Sequence, residues 1–175
     1  IIIINVTYKN NIYQATYEIS QLDNKEYLVR NSKSLDKQKA ANLLARIMIN
    51  IKTLSNYLYD NRELEEFIYY KNYIETLHRK IKNTVISENI ENSKYTSYTI
   101  NKGEKIIFCL RSKKNNKLHN INLLTYVAIH EVSHIACPEI NHTPLFKKIF
   151  KFFTKAAIEI GIYKYEDYRN IPKEY

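Results

Sequence analysis

The sequence has few of the residues on which disulfide-stapled or membrane-spanning proteins depend. Its two cysteines, Cys109 and Cys137, lack any CxxC spacing, which excludes a disulfide framework and predicts reduced, buried thiols. No run of eighteen consecutive apolar residues is present, so no segment is expected to span a bilayer. The chain begins at Ile1 without an initiator Met, and membrane association is expected only if an anchor preceded this residue. These features favour a soluble protein of a reducing compartment.

No internal repeat and no interdomain linker interrupts the sequence. The chain has 175 residues, of which 45% are hydrophobic and 26% charged, as in an ordinary globular domain. This length allows a hydrophobic core that needs no staples. We therefore expect residues 1–175 to form a single domain, in which residues 1–90 supply N-terminal strands and two helices.

Basic residues exceed acidic residues by 27 to 18, which gives a formal net charge of +9. Ile, Lys, Asn and Tyr together account for 83 of the 175 residues, a bias expected of an A/T-rich source genome such as that of a large DNA virus. This bias raises the lysine content without any selected anionic partner. A basic surface still attracts polyanions, so the composition leaves contact with nucleic acid open.

Periodicity and turn residues predict a mixture of helices and strands. Strands are expected at about 1–8, 26–30, 95–100 and 105–111, the last two as a hairpin, with a polar loop at 83–94. Helices are expected at about 35–59 after an N-cap at Ser34, at 63–82, and from 120 or 122 to 136. A last helix has Thr143 as its N-cap, Pro144 at its first position and Gly161 after its end.

The third of these helices contains His130-Glu131-Val132-Ser133-His134, an HExxH motif. Residues four apart on a helix lie about 40° apart around its axis, so His130 and His134 can bind one metal ion. Glu131 lies about 100° from His130, where it can approach an attacking water without binding the metal. The helix is apolar on nearly every side, and polar residues buried in it need partners that a divalent cation supplies.

A catalytic zinc site requires a third protein ligand and one open position. His142 follows His134 after a turn that lets the chain double back, and it is the leading candidate. Glu159 and Glu139 are the rivals, although Glu159 is expected on the outer face of its helix, one turn from Lys155. Cys137 is poorly placed at the end of the motif helix.

The segment from Tyr126 to His134, followed by Asn141-His142-Thr143-Pro144-Leu145-Phe146, resembles the small zincin metallopeptidases of the WLM and SprT-like group. In that group a short loop, a third His and an aromatic residue follow HExxH, although the usual Gly before the third His is Asn141 here. The resemblance covers about residues 95–165. It implies an α+β, zincin-like fold in which helices pack on a small, mostly antiparallel sheet and HExxH lies on a central buried helix.

The resemblance also assigns roles to particular residues. It implies that His130, His134 and His142 bind Zn²⁺, that Glu131 is the general base, and that Phe146 anchors the following helix. It further implies that the strand at 105–111 is an edge strand along which an extended peptide substrate lies. The candidate substrate-binding residues are then Ile106, Ile107, Phe108 and Cys109.

Zinc-dependent peptide hydrolysis is therefore the leading expectation, with a protein or peptide as substrate. An alternative is a nucleic-acid-associated or basic binding protein with a structural or vestigial zinc site, for which the basic residues are Lys147, Lys151, Lys155, Lys113, Lys114 and Lys117. A non-peptide amidase would share the same site. Residues of a type that could stabilise an oxyanion are Tyr163, Tyr165, Tyr168 and His119, and the sequence assigns none of them.

Overall fold

The computed structural model describes residues 15–90 and 97–167, and the strand predicted at 1–8 lies outside these ranges. The described residues form five strands and five helices in an α+β arrangement, as predicted. The strands are β1 (Ala15–Ile19), β2 (Glu26–Arg30), β3 (Val85–Glu88), β4 (Tyr98–Ile100) and β5 (Lys105–Phe108). The helices are α1 (Ser34–Asp60), α2 (Glu65–Ile68), α3 (Lys71–Ile81), α4 (Ile121–Ala136) and α5 (Pro144–Glu159).

Strands β1 and β2 form an antiparallel hairpin in which Ala15 pairs with Arg30 and Ile19 with Glu26. The turn between them passes through Asn24 at φ 56°, a left-handed conformation that asparagine tolerates. Strand β2 has its predicted bounds. Strand β1 is not predicted from the sequence, because its side chains are exposed or half-buried and the apolar alternation that indicates a strand is weak there.

Helix α1 confirms the helix predicted at 35–59 and contacts α3, α4, α5 and both sheets. It begins at Ser34 itself, so the predicted cap lies one residue inside the helix. Its buried stripe has the helical spacing of three and four residues, and each member is at most 3% exposed: Leu44, Ile47, Ile51, Leu54 and Leu58. These side chains join buried residues of all five helices in one apolar cluster.

The second predicted helix, 63–82, is wrong as a single element because the chain breaks between α2 and α3. At the break the Tyr70 N–H donates to the Phe67 carbonyl at 2.8 Å in a turn-type bond. The Tyr70 ring then stacks on Phe152 of α5, with ring centroids 4.0 Å apart, while Phe67 meets Phe152 edge-on. Tertiary packing accompanies this break in a stretch with neither Gly nor Pro, so the sequence has no local signal for it.

The second sheet has the strand order β3-β5-β4, in which β5 pairs in parallel with β3 and antiparallel with β4. The prediction of a single sheet is therefore wrong, although two of the three strand pairings are antiparallel. The loop predicted at 83–94 is wrong at Val85–Glu88, where β3 forms. The prediction that 105–111 is an edge strand is also wrong, because β5 lies in the centre and β4 lies at an edge of the described sheet.

A buried ion cluster surrounds Glu88, the last residue of β3, in the segment predicted as a polar loop. Glu88 is 1% exposed and Arg111 is 4% exposed. The Arg111 Nε donates to Glu88 at 2.7 Å, and its Nη1 donates to Asp36 of α1 at 2.6 Å. The Arg30 backbone N–H of β2 donates to the second Glu88 oxygen at 2.8 Å. These bonds offset part of the cost of burying the charges, with the Arg111 Nη2 left buried without a hydrogen-bond partner, and they connect both sheets with α1.

Helix α4 is central, as predicted, since it contacts α1, α3, α5 and β4. The turn between β4 and β5 packs against it through Gly103, which has φ +112°. A Cβ atom at this position would lie 3.0 Å from Ile135 of α4, so both the conformation and the close approach require glycine. None of the helices in the described ranges combines the length and apolar character needed to cross a membrane.

Candidate metal centre

Local signals hold α4 in place at both of its ends. At its start the Asn120 side chain accepts a hydrogen bond from the Leu123 N–H at 2.9 Å, which makes Asn120 the N-cap. At its end Cys137 is the C-cap, and Pro138 prevents the helix from continuing. The last turns of this helix carry His130 and His134, one turn apart on one side.

The loop after α4 brings the third histidine back to this helix. Asn141 has φ 69°, a left-handed conformation that asparagine tolerates. Glycine, which the WLM and SprT-like group usually has before the third His, would also allow it. Thr143 then caps α5 by accepting from the Phe146 N–H at 3.2 Å, with Pro144 at the first helical position, as predicted. His142 lies between Asn141 and the helix cap Thr143, so the conformation of this loop determines its position.

The Nε2 atoms of the three histidines converge. Those of His130 and His134 lie 3.2 Å apart, those of His134 and His142 3.2 Å, and those of His142 and His130 3.0 Å. Three nitrogens bound tetrahedrally to one zinc ion at about 2.0–2.1 Å lie about 3.3 Å apart, which is close to the observed separations. Since a neutral imidazole has a single N–H, the three rings cannot satisfy one another, whereas a cation would satisfy all three.

Burial favours the neutral form of His130 and His134. Burial, together with positive charge on His134 and His142, lowers the pKa of His130 to about 4. Burial, followed by the charges of His142 and Lys102, also lowers the pKa of His134. Neutral imidazole is the form that coordinates metals, and in the described residues this trio is the one cluster of potential ligand groups close enough to share an ion.

Glu131 lies beside the histidines on α4 and is 5% exposed. Its Oε2 accepts a hydrogen bond from the Thr99 hydroxyl of β4 at 2.8 Å. Burial raises the pKa of Glu131, and the bond from Thr99 opposes this by lowering it. The carboxylate therefore faces the same cleft as the three imidazoles without joining their cluster.

An aromatic ring from α5 supports the three histidines. Phe146 is 2% exposed and stacks on the His134 ring, with ring centroids 4.1 Å apart. Its centroid lies 5.0 Å from that of His130 and 5.0 Å from that of His142. Phe146 thus contacts all three imidazoles and restricts their orientations.

A cleft with a volume of about 750 Å³ opens over the histidines. Its lining includes Ser97, Tyr98 and Thr99 of β4 and its approach, apolar residues of the first half of α4, and residues of the loop after α4. The remaining lining residues are Lys102, Cys109, His119, Leu123, Leu124, Tyr126, Val127, Glu139, Ile140 and Asn141, besides the three histidines and Glu131.

The rival ligands predicted from the sequence lie outside the histidine cluster. Glu139 lines the cleft but does not belong to the described ligand trio. Glu159 is exposed and accepts a hydrogen bond from the Tyr57 hydroxyl at 2.9 Å, rather than forming the expected pair with Lys155. Cys137 is buried as a free thiol, and Cys109 is free and half-buried.

The predicted substrate-binding residues do not form a docking edge. Ile106, Ile107 and Phe108 are buried in the central strand β5, between two neighbours, so their main chain is not open to a peptide. Cys109 does line the cleft. Two residues near the site were not predicted from the sequence. Thr99 bonds to Glu131, and the Lys102 Nζ donates to the Pro138 carbonyl at 2.6 Å. Neither contact joins residues close in sequence, so no local pattern indicates it.

The other residues considered from the sequence are dispersed. His119 lines the cleft, Tyr163 is buried against Tyr126, and Tyr168 lies outside the described residues. Tyr165 is exposed and lines a second groove of about 640 Å³, away from the histidines. The basic residues Lys151 and Lys155 also line this groove, and Lys147 is exposed on the same helix.

No family model matches the sequence. The chain is 46% identical over 162 residues to the uncharacterised protein R325 of Acanthamoeba polyphaga mimivirus, a match that covers 93% of this chain and 80% of that protein. It is 38% identical over 69 residues to protein 136R of Invertebrate iridescent virus 6, and 38% identical over 68 residues to protein 042R of Invertebrate iridescent virus 3. Each of these two matches covers 38% of this chain. They cover 38% of protein 136R and 42% of protein 042R.

A solved structure is also similar in part. The crystal structure of Wss1 from Saccharomyces cerevisiae matches with a TM-score of 0.41 and 14% sequence identity, covering 55% of this chain and 79% of that chain. A likeness at this level establishes neither a shared fold nor a shared chemistry.

Proposed function

This chain belongs to the family of the mimivirus protein R325, and we propose that it is a zinc-dependent endopeptidase with a zincin-like active site. The observation that carries the proposal is the convergence of three Nε2 atoms within 3.0–3.2 Å of one another, beside a buried glutamate in one open cleft. A structural zinc site has four protein ligands and no use for such a glutamate. A hydrolytic site needs both the open position and the base.

His130, His134 and His142 would hold the zinc ion. When bound, zinc lowers the pKa of a coordinated water to about 7 and polarises the scissile carbonyl. Glu131 accepts the proton of the attacking water and delivers it to the leaving amine.

The edge strand β4 is the proposed docking site for the substrate main chain. β5 is its one partner among the described strands, and we propose that the substrate strand adds on the opposite side of β4. Tyr98 and Thr99 of this strand line the cleft that contains the histidines. An extended peptide added to β4 would therefore pass in front of Glu131, with main-chain hydrogen bonds supplying sequence-independent affinity.

Metal content and peptide cleavage test the proposal together. We expect one zinc per chain by elemental analysis, and cleavage of casein or of a peptide library that stops after chelation and returns with added zinc. Glu131→Gln should retain zinc and melting temperature but lose at least about 100-fold in kcat, since it removes the proton acceptor while keeping size. Glu159→Gln, the same change on the exposed outer surface of α5, should remain fully active.

Three results would contradict this assignment. An inert wild type with full zinc, tested on peptides and on simple amides, would indicate a structural or vestigial site. Cleavage of amides but not of peptides would indicate an amidase. An active Glu131→Gln with an inert Glu139→Gln would move the role of base to the other carboxylate of the cleft.

A further inference from the structure

The hydrogen bond between Thr99 and Glu131 connects the proposed docking strand directly to the proposed base. The Thr99 hydroxyl donates to Oε2 at 2.8 Å across 32 residues of sequence. In the described part of the chain this is the one hydrogen bond made by the Glu131 carboxylate. Oε1 is therefore the oxygen left to face a water in the cleft.

We infer that Thr99 is a positioning residue, which holds the Glu131 carboxylate in the orientation needed for proton transfer. The inference rests on the proposed function and adds to it a residue that acts through the proposed base. A glutamate side chain has several rotatable bonds, and proton transfer requires its oxygen within hydrogen-bond distance of the water. A misplacement of about 1 Å can cost a factor of about 100 in rate.

Threonine suits this role better than a more flexible donor. Its β-branched side chain has a restricted χ1 angle, and it is favoured in strands. On β4 it lies between Tyr98 and Ile100, and its partner across the sheet, Ile106, is fully buried. Strand pairing therefore fixes the Thr99 backbone, and the stiff side chain transmits that fixed position to Glu131.

This arrangement couples docking with catalysis. A peptide that adds to β4 would align with the same strand from which the base is oriented. The distance between the substrate backbone and the Glu131 carboxylate would then depend on one strand rather than on two independently moving segments. A hydrogen bond from a hydroxyl to a charged carboxylate is also short and strong, which suits an orienting contact.

The test is Thr99→Val, which keeps the shape and β-branching of the side chain but removes the donor. We expect unchanged zinc content, a KM within about two-fold of wild type, and a kcat that falls about 10-fold to 100-fold. Thr99→Ser restores the hydroxyl and should recover kcat to within a few-fold. Thr154→Val, the same change on α5 where the hydroxyl bonds only to the Phe150 carbonyl, should leave kcat unaltered.

A second measurement needs no activity. The difference infrared spectrum between wild type and Glu131→Gln identifies the carboxylate band of Glu131 in zinc-free protein. Thr99→Val should shift this band, and Thr154→Val should not. The band also reports on Thr99→Ala, which serves in place of valine if valine disturbs folding.

The outcomes separate the two proposals. A wild type that cleaves nothing overturns the proposed function and the positioning role with it. An active wild type with an equally active Thr99→Val overturns the positioning role alone. An unshifted carboxylate band shows that the hydrogen bond is absent, which also overturns it. A fall in kcat without a rise in KM, recovered by serine and accompanied by a shifted band, supports it.

Discussion

Replacing Phe146 by leucine should separate the stability of the core from the affinity for zinc. Phe146 is 2% exposed and contacts the rings of all three proposed ligands, with ring centroids 4.1–5.0 Å away. Leucine fills part of the same space but leaves the imidazoles without their aromatic wall. The expected loss of unfolding free energy in zinc-free protein is roughly 1–2 kcal/mol, below the roughly 3–5 kcal/mol of a Phe→Ala change.

The affinity for zinc should fall because the three imidazole rings gain rotational freedom when the aromatic wall is lost. Loss of groups that orient metal ligands typically weakens metal affinity by about 10-fold to 100-fold. A ten-fold rise in Kd removes about 1.4 kcal/mol of zinc-dependent stabilisation at a fixed free-zinc concentration. For a domain of this size that corresponds to a reduction of roughly 3–6 °C in the shift of Tm that zinc produces.

Phe153→Leu is the matched control. Phe153 lies on the same helix and is fully buried, and in the described residues its ring packs against Phe152 rather than a histidine. Urea unfolding without zinc should show similar losses for the two variants. Competition with a chromophoric chelator should show weaker zinc binding for Phe146→Leu alone. Equal zinc affinity in the two variants would refute the idea that Phe146 orients the ligands.

Three further changes test the elements around the site. Lys102→Met removes the hydrogen bond to the Pro138 carbonyl, so zinc Kd should rise by about 3-fold to 10-fold in a chelator titration at high ionic strength, which screens the loss of the positive charge near His134; an unchanged Kd would contradict a role in holding the ligand loop. Gly103→Ala forces a side chain onto a residue at φ +112° against α4, and urea unfolding should show a loss of about 1–3 kcal/mol. Glu88→Leu removes the buried one of the two carboxylates that pair with Arg111 and leaves only Asp36, so it should cost about 3–5 kcal/mol in the same assay, whereas adding Arg111→Met should recover most of it; no recovery would contradict the ion-pair explanation.

The features that the sequence predicted correctly have local causes. The ends of α5 follow from Thr143, Pro144 and Gly161, each of which acts within one turn of the helix. The hairpin of β4 and β5 follows in the same way from the turn at 101–104. Such signals require no knowledge of the rest of the chain.

The features that it missed depend on distant partners. The polar residues of 83–94 indicate a loop, whereas the burial of Glu88 in β3 depends on Arg111, 23 residues away. Once β3 forms, β5 becomes a central strand and loses the free edge expected for Ile106 to Cys109. Missing β3 therefore led to the wrong expectation that β5 is an edge strand.

The candidate site likewise contains residues that local sequence predicts and residues whose contacts are distant in sequence. His130 and His134 follow from helical spacing alone, and His142 from the motif and its short loop. The hydroxyl of Thr99 could not be predicted, because its contact with Glu131 depends on how the sheet packs against α4. Sequence reasoning thus identifies the candidate metal ligands and the candidate base more readily than the residue proposed to orient that base.

The β4–β5 hairpin contacts α4 and its following loop at three places, and these contacts together bear on catalytic precision. Thr99 bonds to the base, Gly103 packs on Ile135, and Lys102 bonds to the carbonyl of Pro138 in the loop that leads to His142. Proton transfer and carbonyl attack require the substrate within about 0.5 Å of its productive position. One hairpin thus contacts the proposed base, the motif helix and the loop that leads to His142. If β4 is the docking strand, as we propose, a displacement of this hairpin should shift these groups together, which preserves the relative geometry of substrate, base and metal ligands better than separate loops would.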